Sequence, residues 1–348
     1  MLKVIRQPLF ILGFMTIFLM TLASIIHATH FDSAIPQTEW LRDSEGNMIA
    51  GPPLEPTKDY PLGTDEFGYH MLEKLVQGAK YTFGAAFLTS LLGFSLSFLF
   101  GVLLAFWKKE GSKNVIKGLS SSFYFVPQSI IAYNILHPIL WESPQGFAYS
   151  LTERVVYQIV MMALILAPTT ALLIAEEVRD ILKEEFIETA ITLGATPFHI
   201  FRKHVIPHLR PRLFIIFPRL VVQVLLIIAH LGIFQIYFGG TSVCYDVFCD
   251  PPMPIANEWS GLLGMYIKQI NYHWWLAVGP LACFTISILA INSMAAGIEK
   301  GLTPAKAYSG RRWFWKKRTT KSVSGPAYSV TEEDFVRVRN DANSSAYF

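Results

Sequence analysis

The sequence predicts an all-α membrane protein whose chain crosses the bilayer several times. Hydrophobic residues make up 52% of its 348 residues and charged residues only 16%, a balance too apolar for an ordinary water-soluble domain of this length. Apolar runs of about 20 residues, the length that crosses the hydrocarbon core as a helix, recur along the chain. The Lys and Arg residues are distributed unevenly between these runs, which orients the helices in the membrane.

Six apolar stretches are long enough to be membrane-spanning helices. We predict them at residues 8–28, 82–107, 119–141, 155–175, 213–237 and 273–294. The first follows Lys3 and Arg6, as the core of a cleaved signal peptide would. Its apolar stretch is longer than a typical signal core and no clean cleavage site follows, so we expect an uncleaved anchor helix.

The basic residues predict how these helices are oriented. With the N-terminus in the cytoplasm, the cytoplasmic segments hold 22 Lys and Arg residues and the opposite segments hold 6. Short loops rich in Lys and Arg stay in the cytoplasm. The sequence therefore predicts a multi-pass protein with both termini in the cytoplasm.

This topology divides the chain into three parts. Residues 1–81 hold the anchor helix and an extracytoplasmic segment, and residues 82–298 form a five-helix core that includes a cytoplasmic loop at 176–212. Residues 299–348 form a cytoplasmic tail that is basic around residues 311–318 and then polar and Ser-rich. Because it has few apolar residues to bury, we expect this tail to be disordered.

Three cysteines differ in their surroundings. Cys283 lies in an apolar run and is predicted to be a small buried hydrophobic residue. Cys244 and Cys249 lie in the polar loop between the last two predicted spans. The sequence leaves two alternatives open for this pair, a disulfide on an oxidising outer face or two free thiols.

The loop at 176–212 is strongly patterned. From Glu176 to Leu193 apolar residues recur at helical spacing. Gly194 follows the last of them, where a helix often ends in a left-handed residue. We therefore predict a helix that stops at a sharp corner.

A second amphipathic helix is predicted after this corner. Thr196 is suited to be its N-cap and Pro197 its first residue, and we expect it to end near Pro207 and Pro211. A helix, a corner and a helix on the cytoplasmic face suit docking to a partner protein that moves the spans. The pattern is equally consistent with a hairpin lying on lipid.

The stretch from Glu185 to Pro207 resembles the EAA motif of permease subunits in binding-protein-dependent ABC importers. Thr189 stands where that family usually has Ala. In the family this segment forms the coupling helix that docks into the ATPase subunit. The resemblance assigns coupling to Glu188, Ala190, Gly194, Ala195, Thr196, Pro197, Ile206 and Pro207.

A second segment, just before the second span, resembles the C-type subunit of dipeptide and oligopeptide permeases. Its matching residues are Leu62, Gly63, Thr64, Asp65 and Gly68. The sequence departs from the family at residues 69–70, which are Tyr-His where Arg-Asp is common. Together with a weaker match at the end of the last span, the resemblance covers residues 61 to about 304.

The resemblance implies a permease subunit of an ATP-driven importer in the bacterial cell membrane. It would translocate dipeptides or oligopeptides delivered by an extracytoplasmic binding protein. The implied partners are a B-type permease, one or two P-loop ATPase subunits and the binding protein, with no nucleic acid. Two alternatives are an importer permease for nickel or another solute and a self-sufficient secondary transporter.

The chain has no phosphate-binding loop of the G-x-x-x-x-G-K-[ST] type. We therefore expect ATP and Mg to be used by the partner subunits, and we predict no catalytic residue, metal or cofactor in this chain. The predicted spans contain no Asp or Glu, which argues against an intramembrane enzyme and an ion-coupled carrier. Asn134 and His230 lie within spans and either line a path or hydrogen-bond between helices; we favour the second role.

Overall fold

The computed structural model describes residues 2–31, 33–38, 40–42, 48–107, 118, 126–246 and 249–302. Its helices are α1 Leu2–Ile5, α2 Pro8–His30, α3 Met71–Phe106, α4 Gln128–Leu140, α5 Leu151–Leu182, α6 Glu185–Thr192, α7 Pro197–Ile233, α8 Trp259–Tyr266 and α9 Trp274–Leu302. Two antiparallel two-stranded sheets pair β1 Leu41–Arg42 with β2 Met48–Ala50, and β3 Thr241–Ser242 with β4 Met253–Pro254. The α7 helix contains a π-helical turn at Phe201–Val205.

The predicted class of all-α polytopic membrane protein is confirmed. Among the described residues, the five helices α2, α3, α5, α7 and α9 are long and apolar enough to cross a membrane. The third predicted span, 119–141, is described only from residue 126, and there α4 has 13 residues. The third predicted span, and with it the total of six, therefore stays a prediction, as does the division at residues 81 and 298. The tail beyond residue 302 lies outside the described residues.

The bundle has two ends that carry different structures. The α5 to α7 connection lies at one of them, which we call the corner end and define by residues 183–196. The residues before α3 and those between α7 and α9 lie at the other, which we call the cap end and define by residues 51–70 and 234–273. Both sets of sequence-predicted site residues therefore sit at the ends of the bundle.

The five long helices are all longer than the predicted spans, as α3 and α5 illustrate. The α3 helix begins at Met71 rather than at residue 82, and α5 continues to Leu182 rather than stopping at residue 175. Leu75 in the first extension and Val178 in the second are both buried. These turns pack on protein rather than on lipid, so hydropathy underestimated the helix lengths.

The bundle is held together by one large apolar core and several close helix contacts. The core includes Leu136 of α4, Leu166 of α5, Val224 of α7 and Leu276 of α9, all buried. Small residues let α2 approach α9, because a Cβ atom at Gly297 would lie only 2.6 Å from the backbone nitrogen of Phe10. Close contact through small residues is typical of packing between membrane helices.

Candidate coupling site

The corner end begins where α5 stops. A backbone hydrogen bond of 3.2 Å from Glu184 N–H to the Ile181 carbonyl closes the last turn, and α6 starts at Glu185. The single helix predicted from Glu176 to Leu193 is therefore wrong, because the chain breaks at residues 183–184. This break turns α6 so that only Ile187 of its residues is buried.

The α6 helix ends in a corner built on Gly194. Gly194 has a φ of +84°, its N–H donates to the Ile191 carbonyl at 2.9 Å, and the Ala195 N–H donates to the Ala190 carbonyl at 3.0 Å. This pair of bonds is a Schellman motif, which satisfies the last carbonyls of a helix and needs a left-handed residue at its centre. The predicted role of Gly194 as a helix stop agrees with this geometry.

The next helix starts immediately. Thr196 is its N-cap, with its hydroxyl accepting a hydrogen bond of 3.3 Å from the His199 N–H. Pro197 is its first residue, a position whose N–H has no partner within the helix, so proline costs no hydrogen bond there. The corner therefore spans only four residues, 193–196.

The predicted end of this helix near Pro207 and Pro211 is wrong, because α7 continues through both prolines to Ile233. A proline inside an α-helix removes one N–H bond and crowds the carbonyl four residues earlier. The π-helical turn at Phe201–Val205 lies immediately before Ile206 and Pro207, and the wider spacing of such a turn relieves this crowding. The part of the family segment that follows the corner, from Pro197 to Pro207, is thus continuous with a membrane span.

The underside of the corner is packed into the bundle. Ile187 of α6 and Ile200, Val205 and Leu209 of α7 are all 5% exposed or less, and they share an apolar cluster with Val178 of α5. Ala195 packs against the same cluster. Movement of the corner must therefore displace α5 and α7 with it.

Two basic residues fasten this underside further. Arg179 of α5 donates a hydrogen bond of 3.1 Å to the Leu104 carbonyl in the last turn of α3. Arg212 of α7 forms an ion pair with Glu177 of α5. These contacts connect three helices at the corner end.

The opposite side of the corner carries large apolar side chains that are exposed to solvent. Leu193 is 83% exposed, Phe198 is 70% exposed and Ile191 is 56% exposed. The side chain of Glu188 in the first turn of α6 is also exposed. We call the surface formed by Ile191, Leu193 and Phe198 the apolar tip. An apolar surface on a rigid support is typical of a protein interaction site.

The departure from the family at Thr189 fits this helix. Its hydroxyl donates a hydrogen bond of 3.1 Å to the Glu185 carbonyl, as a threonine within a helix can. Thr189 also lines a shallow groove of about 560 Å³ beside Ala190 and Gly194. The change therefore alters the groove wall without breaking the helix.

The family segment before α3 folds into a compact turn at the cap end. The buried Thr64 pairs with Leu54 in both directions, with its backbone N–H donating at 3.0 Å and its hydroxyl accepting at 2.9 Å. Gly68 has a φ of +82°, and a Cβ atom here would overlap the carbonyl oxygen of Thr38. Gly63 accepts a hydrogen bond of 3.1 Å from the Met71 N–H, which starts α3.

Asp65 is the centre of this turn. It is fully buried, and its Oδ1 accepts hydrogen bonds from the N–H groups of Phe67 at 3.0 Å and Tyr69 at 2.8 Å. Its Oδ2 forms an ion pair with Lys74 of α3 and accepts a hydrogen bond of 3.1 Å from the Tyr266 hydroxyl of α8. Burial is the main cause that raises the pKa of Tyr266, and the negative charge of Asp65 raises it further. The hydroxyl therefore keeps its proton and can donate it.

These contacts assign the motif a structural role at the cap end. Asp65 joins its own turn, α3 and α8, and Leu62 packs against the main core. Lys74 and Tyr266 were not identified from the sequence. The available signal was a lysine nine residues after an aspartate at the edge of a predicted span, a combination that suggests a pair of charges leaving water together.

The cysteine pair lies in the cap-end loop between β3 and β4. Cys244 and Cys249 are joined as a disulfide, with their Cα atoms 5.4 Å apart. The loop is fastened to the end of α4 by Glu142, which accepts hydrogen bonds from the Ser242 hydroxyl at 2.7 Å and the Val243 N–H at 2.9 Å. The structure thus has the first of the two alternatives left open by the sequence.

The corner end, the cap end and the spans can be compared with known proteins. The sequence pattern of the family described as binding-protein-dependent transport system inner membrane component matches residues 97–304. The peptide transport system permease protein SapC of Salmonella typhimurium is 25% identical over 244 residues, which is 69% of this chain and 72% of the relative. The di/tripeptide transport system permease protein DppC of Pseudomonas aeruginosa is 23% identical over 70% of this chain and 71% of the relative.

A third relative is the glutathione transport system permease protein GsiD of Pectobacterium atrosepticum, 20% identical over 72% of this chain and 74% of the relative. All three are named as permeases of transport systems rather than as enzymes. The family match covers the whole corner end and more than half of the chain. The chain therefore belongs to the binding-protein-dependent transport system inner membrane components, as the sequence motifs predicted.

Proposed function

We propose that this chain is the C-type permease subunit of an ATP-driven importer for dipeptides or oligopeptides, and that the corner end couples it to an ATPase subunit. Support for the substrate comes from two of the relatives named above, whose transport systems are described for peptides or di/tripeptides. The relative described for glutathione, itself a small peptide derivative, points to the same class.

The observation that carries the coupling role is the contrast between the two sides of the corner. Leu193 and Phe198 are mostly exposed, while Ile187 and Ile200 beneath them are buried. A partner that covers this apolar surface would remove it from water, and this burial would stabilise the complex. Because its underside is packed against α5 and α7, a push on the apolar tip reaches the spans as a rigid movement.

The orientation proposed from charge agrees with this role. The 22 to 6 distribution of Lys and Arg puts the corner end in the cytoplasm, which is where ATP is available. The cap end, with its disulfide loop, then faces the oxidising side on which a binding protein delivers its cargo. ATP and Mg are used by the partner, and the absence of a cofactor or metal in this chain stays a prediction.

The mechanism follows from these placements. A loaded binding protein docks at the cap end, ATP closes a pair of ATPase subunits, and closure displaces the apolar tip. The corner at Gly194 transmits this displacement to α5 and α7, and the permease pair opens toward the binding protein. Glu188, Gly194 and Pro197 thus serve coupling, and no covalent chemistry occurs in this chain.

The test is purification of the tagged chain from crosslinked membranes in a mild detergent, followed by mass spectrometry. We expect a second six-span permease and one or two P-loop ATPases. The purified complex, placed in proteoliposomes with its binding protein, should take up members of a defined mixture of dipeptides to hexapeptides in an ATP-dependent manner.

Two results would overturn the proposal in different ways. Recovery of the chain alone, with uptake that needs no ATP, would indicate a self-sufficient carrier. Recovery of the complex with uptake of nickel but not of peptides would support the importer role and refute peptides as the substrate.

A further inference from the structure

A chain of side-chain hydrogen bonds connects α4, α5 and α7 inside the bundle. Gln223 of α7 donates from Nε2 to Oε1 of Gln128 at 2.6 Å, and Gln128 donates from Nε2 to Oγ1 of Thr169 at 3.4 Å. Thr169 in turn donates to the Leu166 carbonyl of its own helix at 3.1 Å. Polar groups from three helices are thus gathered at one place.

This place is near the middle of the membrane. Gln223 lies ten residues before Ile233, the last residue of α7 at the cap end. At a rise of about 1.5 Å per residue this is roughly 15 Å along the axis, half of a hydrocarbon core about 30 Å thick. The polar groups are therefore far from both water layers.

The chain of bonds ends at an open cavity. The cavity has a volume of about 270 Å³, and its lining includes Val126, Gln128, Gln223, Leu226 and His230. His230 follows Gln223 by seven residues, which is about two turns of the helix, so both lie on the same face of α7. Among the described residues, neither the ring of His230 nor Oε1 of Gln223 makes a hydrogen bond.

This finding revises the role that the sequence suggested for His230. A hydrogen bond between helices would explain a histidine within a span, but the bond that joins the helices here comes from the glutamines instead. Asn134, the other polar residue considered, donates to the Ile130 carbonyl of its own helix at 2.8 Å. His230 is exposed, and an exposed polar group at bilayer depth faces protein or water rather than lipid.

Building on the proposed function, we propose that this cavity contacts the main chain of the transported peptide. Each peptide unit of the cargo offers one N–H donor and one carbonyl acceptor. The amide of Gln223 offers Oε1 as an acceptor and the one N–H that it does not donate to Gln128, and the His230 ring offers an N–H donor. These groups match a peptide main chain whatever its side chains are.

The other lining residues fit the same occupant. No Asp, Glu, Lys or Arg is among the described residues that line the cavity, so cargo of either charge meets no fixed repulsion here. Leu226 and Val126 provide apolar surface beside the polar groups. The cavity therefore selects for the backbone of a peptide and is tolerant of its sequence.

Site-specific photocrosslinking in the complete importer tests this placement without changing the glutamines. A benzophenone amino acid replaces Leu226 in the cavity or, as a control, Leu289 of α9, which are 43% and 60% exposed. The probe is the tritiated form of the peptide that the wild-type importer takes up fastest from the defined mixture. We expect labelling from position 226 during ATP turnover and background labelling from position 289.

Substitution tests the hydrogen bonds themselves. Gln223→Leu should raise the KM for peptide uptake about fivefold, as expected for the loss of one neutral hydrogen bond, while Asn134→Leu should leave it unchanged. The variant should also lose part of the wild-type discrimination against a cargo analogue with one N-methylated main-chain amide. Discrimination by the binding protein cancels in this comparison, because both importers use the same one.

The outcomes separate this inference from the proposed function. If wild-type importer takes up peptides but position 226 labels no more than position 289, the cavity does not contact the cargo and the importer role stands. If Gln223→Leu also discriminates against the N-methylated analogue as wild type does, the main-chain contact is refuted. If the wild-type importer takes up no peptide, the proposed function itself fails.

Discussion

Replacing Gly194 should change the backbone of the corner without creating a clash inside this chain. A Cβ atom at this position would meet no atom within 4 Å, and the φ is +84°. The effect of a substitution therefore comes from the left-handed conformation alone, which costs an L-residue about 1–2 kcal/mol. Asparagine adopts this conformation more readily than alanine, and a β-branched residue adopts it least readily.

This reasoning predicts an order for a series of variants at Gly194. Gly194→Asn should transport nearly as well as wild type, Gly194→Ala should be weaker and Gly194→Val should be weakest. An increase of about 1–2 kcal/mol changes a two-state population roughly 5- to 30-fold, which sets the expected range for the loss of coupled uptake. The bundle should remain folded, because the Schellman bonds close a surface turn and not the core.

The assay is ATP-dependent peptide uptake by the complete importer in proteoliposomes, with ATP hydrolysis measured in the same samples. Weak coupling should lower the number of peptides transported per ATP more than it lowers ATP hydrolysis. The reasoning is refuted if Gly194→Val transports like wild type. It is also refuted if Gly194→Asn is as damaging as Gly194→Val, because the requirement would then be for space and not for φ.

Three further predictions concern the rest of the chain. Lys74→Met leaves the buried carboxylate of Asp65 without its cation, so it should lower the free energy of unfolding by about 3–5 kcal/mol. The control Lys183→Met removes an ion pair whose side chains are 75% and 62% exposed, and it should change the free energy of unfolding by less than about 1 kcal/mol. Thermal unfolding in detergent compares the two variants, and equal destabilisation by both would contradict a strongly stabilising buried pair. Gly297→Leu pushes α2 away from α9 and should destabilise the bundle by about 1–3 kcal/mol in the same measurement, so an unchanged midpoint would argue against the close contact. Denatured wild-type protein purified without reductant should react with maleimide at one of its three cysteines and the Cys244→Ser variant at two, whereas three reactive thiols in the wild type would exclude the disulfide.

The sequence was sufficient where one short stretch of chain determines the structure. The apolar runs predicted the long helices, because backbone groups in lipid must be paired within the helix. Gly194, Thr196 and Pro197 predicted the corner, because a left-handed stop, an N-cap and a first-turn proline depend on neighbouring residues only. These local rules hold with or without tertiary contacts.

The sequence was insufficient where the outcome depends on packing between distant segments. Leu193 continues the apolar pattern that begins at Glu176, but it is 83% exposed, because α6 is a separate helix from α5, which ends at Leu182. The partner of Asp65 on α8 is Tyr266, 201 residues away, and no local pattern indicates such a contact. The passage of α7 through Pro207 likewise depends on a π-helical turn that composition does not reveal.

The central claim is that the apolar tip docks onto an ATPase subunit. A photoreactive benzophenone at Leu193, which is 83% exposed at the corner end, tests it against the same group at Leu151, which is 49% exposed at the other end of α5. After irradiation of intact cells and purification of the chain, mass spectrometry identifies the attached protein. The account predicts a P-loop ATPase attached through position 193 and none through position 151. Attachment of lipid alone at position 193, or of the ATPase at position 151, would contradict it.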